Sequence, residues 1–178
     1  MPVDRSTPTS ATIVGVAFLT LVGCSAKSAP KPTYTIPITA ESTVRADNGV
    51  DVIVSSATGV VLTDDERNRV QGLIKKQIDE RKIRNAADGR VGSYEVDVLL
   101  TQYDEGSSVA RLMLAGLGQI HVTGNIKMLE LPDHKLVGEF EVSKTFAWGG
   151  LYGASTTIQD VDVGFANGVA AAVTGTTD

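Results

Sequence analysis

The chain contains one cysteine, two histidines and one tryptophan in 178 residues, and these scarcities restrict its chemistry. A single cysteine can neither close an internal disulfide nor supply a Cys pair to a metal. The two histidines, His121 and His134, lack H-x-x-x-H spacing, so no metal centre is expected. Aromatics at 5% argue against a sugar-stacking groove or an aromatic cage. There is no Lys/Arg cluster, and a net charge of −5 with pI near 5.0 excludes an ordinary nucleic-acid binder. No apolar run reaches the roughly 20 residues that span a bilayer. No G-x-S-x-G elbow is present. Gly116-Leu117-Gly118 lacks both the third glycine of a dinucleotide motif and the Gly-Lys-Ser/Thr of a P-loop, so it reads as a tight turn. What remains, 42% apolar and 21% charged residues, is ordinary for a folded domain.

The lone cysteine is well placed. The apolar run Ala11–Gly23 leads directly to Leu21-Val22-Gly23-Cys24. The run is short for a membrane span and suits the h-region of a signal peptide. Leu three residues before the cysteine and Gly one before it resemble a bacterial lipobox. Cleavage is therefore expected between Gly23 and Cys24, with the Cys24 thiol lipidated. Asp4 and Arg5 cancel in the n-region, where a net positive charge is usual. Two or more acyl chains would make the anchor stable, and the thioether would remove the chain's only thiol from catalysis. Ser25, not Asp, follows the cysteine, which favours the outer over the inner membrane. Residues 25–33 (SAKSAPKPT) are small, polar and Pro-rich, and read as a flexible linker of ~30 Å reach.

Beyond the linker, Tyr34–Ile38 reads as a short strand confined to an edge by Pro37. Val50, Val52 and Val54 alternate as a strand. Thr63-Asp64-Asp65-Glu66 is a capping box opening a helix that runs to about Arg84, with Val70, Leu73, Ile74 and Ile78 as its apolar stripe. Tyr94, Val96, Val98 and Leu100 alternate next, so strand–helix–strand predicts a βαβ unit. Ile120–Met128 and Leu136–Phe146 alternate on either side of Leu131-Pro132-Asp133 and predict a hairpin. A last helix begins near Thr156 or Thr157, with Ile158, Val161, Phe165, Val169 and Val173 buried. Gly164 and Gly168 weaken it by about 1 kcal/mol each relative to Ala, or let it lie close on the sheet.

The predicted organisation is a signal peptide over 1–23, an acylated cysteine and linker over 24–33, and one domain over 34–178. The predicted fold class is α/β (α+β): a mixed, mostly antiparallel sheet of four to five strands with two main helices, mainly on one face.

Few side chains suggest chemistry. Asp104-Glu105 reads as a polar loop. Asp160 and Asp162 project about 200° apart on a helix, so only one could face a site. Ser107, Ser108 and Ser155 read as helix caps. Arg111, beside Leu112, Met113 and Leu114, calls for a buried ion-pair partner or an anionic ligand. Leu112–Leu117 and Trp148–Gly153 place apolar side chains beside glycines, making Arg111, Leu112, Trp148, Leu151 and Tyr152 the candidate contact residues.

From Tyr94 onward the sequence resembles a bacterial family of predicted lipoproteins known as domain of unknown function 4410. The resemblance rests on Gly106 and Ser107 before Arg111, Gly116-x-Gly118, Val137-Gly138-Glu139-Phe140 and Trp148-Gly149-Gly150. It covers about half of the chain and implies a place in the cell envelope, with no activity attached. The expected function is a non-enzymatic envelope lipoprotein, bound to the membrane through acyl chains on Cys24, that acts as a structural or assembly partner of another envelope protein. It needs no cofactor. A lipid-tethered periplasmic binder of small ligands, with an anion contact at Arg111, is the alternative. An envelope hydrolase would need His121 or His134 beside an acid and a serine.

Overall fold

The structure, a computed structural model, describes residues 25–87, 89, 91–113 and 117–176. The signal peptide predicted over 1–23, and with it Gly23, lies outside the described residues, as do the predicted lipidation site Cys24 and Gly116. Five strands form one sheet: β1 (Thr33–Ile36), β2 (Gly49–Ser56), β3 (Ser93–Asp104), β4 (Ile120–Leu131) and β5 (Lys135–Phe146), in the order β1-β5-β4-β3-β2. Only β2 and β3 run parallel, with helix α1 (Asp64–Lys82) between them in sequence. The other pairs are antiparallel. This is the expected mixed, mostly antiparallel α+β architecture. Besides α1, the helices are α2 (Ser108–Met113), α3 (Gly150–Ser155) and α4 (Ile158–Thr174). Two of these, α2 and α3, are short pieces of six residues each.

Local chemistry accounts for the element ends. Thr63 caps α1 reciprocally with Glu66, and Thr157 caps α4 in the same way with Asp160. The acid at position 160 is therefore a helix cap. Ser107 Oγ accepts the Ala110 amide at the start of α2, whereas Ser155 closes α3 by donating to the Tyr152 carbonyl. The β4–β5 hairpin holds its register from Ile120–Phe146 to Glu130–Lys135, with one shift near Met128.

The inner sheet face carries Val52, Val96, Val98, Ile126, Phe140 and Val142, against Ile74, Ile78, Phe165 and Val169 of α1 and α4. Gly124 leaves room for the Phe165 ring, which a Cβ would meet at 3.1 Å. No described helix covers the outer face, which is mostly polar and carries the register row Asp97, Lys127 and Glu139. Ile53 and Leu99 stand exposed on it.

The linker expectation requires correction. Residues 25–30 are packed on the domain. The Lys144 side chain lies on the inner face of β5, and its ammonium donates to Ser25 O (2.9 Å), Ser28 O (2.8 Å) and Ser28 Oγ (2.9 Å). Ala26 is buried in the core, Asn167 Nδ2 donates to Lys27 O at 3.0 Å, and Lys27 pairs with Asp160 at 3.3 Å. A buried ammonium needs acceptors, and backbone carbonyls of the N-terminal turn supply them. Gly164 and Gly168 form the other half of the seat. A Cβ at 164 would collide with the Ala26 carbonyl, and one at 168 would stand 2.8 Å from Pro30 Cγ. Gly168 also lies close to Val142 of the sheet, but Gly164 serves the N-terminal segment.

Candidate functional site at the α2–α3 end

The C-terminal ends of β3 and β5 and the start of β4 meet at one end of the sheet, where α2 packs on α3. Arg111 holds this end together. Its Nε donates to Gly153 O (2.9 Å), its Nη1 to Glu105 O (3.0 Å) and Gly118 O (2.6 Å), and its Nη2 to Thr156 O (3.2 Å). The side chain is buried, and four of its five N–H groups serve backbone carbonyls of three segments: the loop before α2, the turn after it, and α3 with its C-cap. The carboxylate partner expected from the sequence is replaced by carbonyl oxygens. Arg111 borders a cleft of about 420 Å³ with Glu105, Ser108 and Gln159, yet its guanidinium is engaged by the loops.

Around this clamp the expected contact residues come together at the surface. Leu112, Met113 (76% exposed) and Leu117 come from α2 and its exit; Trp148 (47%), Leu151 (84%) and Tyr152 (53%) come from α3 and its approach. Tyr152 stands edge-on to Phe146 (centroids 5.7 Å apart) and to Trp148 (6.4 Å), joining the cluster to the core. Positive φ at Gly106 and Gly118 brings their loops so close that a Cβ on either would strike backbone oxygen. The docked N-terminus reaches the same end: Ser25, Ala26 and Lys27 share a cleft with Tyr152 and Ser155.

A second polar cluster is closed on itself. Asp162 on α4 is fully buried. Its Oδ2 accepts Arg69 Nε at 3.0 Å and the Tyr103 hydroxyl at 3.2 Å, while Arg69 Nη2 donates to the Tyr103 oxygen at 2.7 Å. Tyr103 reaches this position through a bulge: the β3 register shifts between Leu100 and Gln102, placing an odd-numbered residue on the inner face. Burial pushes the Asp162 carboxyl up to about 6 against the pull of Arg69 and Tyr103. Burial, and then the Asp162 charge, raise the Tyr103 phenol.

Sequence reasoning missed Lys144, Arg69 and Tyr103. Lys144 did carry a signal, a lysine at the apolar parity of an alternating strand. His121 Nδ1 contacts Thr145 Oγ1 at 3.0 Å, while His134 lies beyond the far end of β4, 3.6 Å from Glu95. The two do not converge. Among the described residues no three His, Cys, Asp or Glu side chains gather to hold a metal, and no helix is long and apolar enough to cross a membrane.

A sheet of this order, with α1 and α4 on its inner face and small helices closing one end, defines a compact class of α+β domain. The chain belongs to the family of domain of unknown function 4410, whose model matches residues 56–150, more than half of its length. No curated protein matches it. Among solved structures, a single-substitution variant of PelC from Paraburkholderia phytofirmans, a dodecamer, is similar at TM-score 0.55 and 12% identity over 80% of this chain and 95% of that one. A second PelC dodecamer from the same organism is similar at TM-score 0.52 and 12% identity, over 80% and 96%. A candidate lipoprotein from Caulobacter crescentus CB15 gives TM-score 0.40 and 16% identity, over 67% and 81%. The PelC likeness shows a shared fold.

Proposed function

We propose that the protein is a lipoprotein of the bacterial envelope, acylated at Cys24, whose domain is a non-enzymatic assembly module that binds protein, first of all copies of itself. The observation that carries this reading is the docked N-terminus. The residues directly after the lipobox cysteine are built into the domain through Lys144 and the Gly164–Gly168 seat, so a lipid on Cys24 would hold the whole body at a fixed attitude. The polar groups that could suggest catalysis have structural partners: Arg111 clamps carbonyls, and Asp162 is held by Arg69 and Tyr103. Self-association is supported by the dodecameric state of the PelC structures with this fold. It is also supported by β2, an eight-residue strand at the sheet edge that carries the exposed Ile53. Unpaired edges invite strand pairing.

The test is cross-linking in intact cells, followed by detergent extraction and native mass measurement. Cross-links between copies, or to one recurring envelope protein, are expected, with contacts at β2 and the outer sheet face. A monomer that recovers no specific partner in repeated extractions would overturn the assembly reading.

A further inference from the structure

We infer that the apolar cluster of the α2–α3 end is a membrane-contact surface that lies against the lipid into which Cys24 is anchored. The inference rests on the acylation proposed above and adds which face of the domain meets the bilayer.

Three observations combine. First, Leu112, Met113, Leu117, Trp148, Leu151 and Tyr152 are exposed together, on two short helices and their flanking residues, which the Arg111 clamp ties together. Exposed apolar groups gathered in this way mark a contact surface. Second, the chain leading to the lipid ends at this same surface. Ser25 O is fixed by Lys144, and Ser25 shares a cleft with Tyr152 and Ser155. Only Cys24 itself, ~3.5 Å of chain, separates the docked turn from the acyl groups, so the bilayer cannot lie far from Tyr152. Third, the residue types suit an interface. Trp and Tyr carry an apolar body and a polar tip and collect at headgroup depth, with aliphatic side chains deeper. Leu151, the most exposed of the set beside these aromatics, is placed to insert furthest. The arrangement is that of a monotopic contact, in which an apolar face enters the boundary region without crossing it. The outer sheet face and β2 would then remain clear of lipid and open to protein.

Trp148 is the chain's only tryptophan, so it reports on this surface without labelling. The protein purified from membranes is reconstituted into phosphatidylethanolamine/phosphatidylglycerol vesicles, with or without lipids brominated near the top of the acyl chain. The expected result is a blue-shifted Trp148 emission that loses most of its intensity to brominated lipid and is protected from aqueous iodide. Emission unchanged by bromine and quenched freely by iodide would overturn the inference. Intact mass of the same sample reports Cys24 acylation separately. An acylated protein with Trp148 in water sinks only the surface assignment. If the thiol is free, the acylation reading fails, and coupling Cys24 to a maleimide-headed lipid in the same vesicles lets the bromine readout alone decide the surface.

Discussion

Lys144 Nζ lies 2.8 Å from the carbonyl oxygen of Ser28, a contact between residues far apart in sequence that ties the N-terminal turn to the C-terminal end of β5. The same ammonium takes Ser25 O and Ser28 Oγ, so one buried charge organises the residues following the lipobox. Replacing it tests whether the segment is held or merely adjacent. Lys144→Met keeps the apolar stem and removes all three bonds. The expected cost is about 1–3 kcal/mol, with faster amide exchange and proteolysis confined to residues 25–30. Unchanged protection there would show that Lys144 is not the anchor.

Two glycine-to-alanine substitutions in helices, at Gly164 of α4 and Gly72 of α1, should have opposite effects. Ala is favoured over Gly in a helix interior by about 1 kcal/mol, yet at Gly164 its Cβ would enter the Ala26 carbonyl. Gly164→Ala is expected to destabilise by roughly 1–3 kcal/mol through overpacking. Gly72→Ala, in α1 with nothing within 4 Å of the new Cβ, is expected to stabilise. Chemical denaturation of both variants gives opposite signs if the N-terminal segment sits on Gly164, and the same sign if it does not.

Asp162 gives the domain a pH signature. Its folded pKa is raised from 3.8 to about 6, so the folded state holds this proton more tightly than the unfolded chain. Asp162 therefore contributes stability that is fully present below pH 3.8 and is lost as pH rises through about 6. Glu66, Asp79 and Asp160 have lowered values and act in the opposite sense, losing their contributions at acid pH. The difference between wild type and Asp162→Asn isolates the buried carboxyl. Relative to the variant, wild type should lose stability as pH rises from 4 to 7, followed by urea unfolding. A pH-independent difference would contradict the burial argument.

Arg111 is placed as a clamp whose ligands are backbone carbonyls. Arg111→Lys keeps the charge but loses the planar fork that reaches four carbonyls in three segments at once. It is expected to lower stability by about 2 kcal/mol or more, since buried carbonyls lose their donors, and to loosen Trp148, seen as lower emission anisotropy. Full stability in the lysine variant would reopen the anion-contact reading.

Much of the architecture was legible because its signals are local. The Thr63–Glu66 capping box, the alternation in β3, and the paired alternation around Pro132 each state an element within a dozen residues. What escaped depends on distant partners. The Pro-rich composition of residues 25–33 describes a linker, and only Lys144 and Gly164, more than a hundred positions away, turn its first half into part of the core. Arg111 was legible as a buried cation but not as a carbonyl clamp, because backbone acceptors leave no mark in a sequence. Tyr103 lies past the alternation read over Tyr94–Leu100, and a bulge there turns it to the inner face. The residues of the α2–α3 surface were named from their composition, yet their union with the N-terminus needed the fold.

The most direct test of the account is the intact mass of the protein extracted from its native membrane. The result expected is a chain beginning at Cys24 and carrying diacylglyceryl and N-acyl groups, with Cys24→Ser left as unacylated precursor. A chain retaining Met1 and a free Cys24 thiol would contradict it.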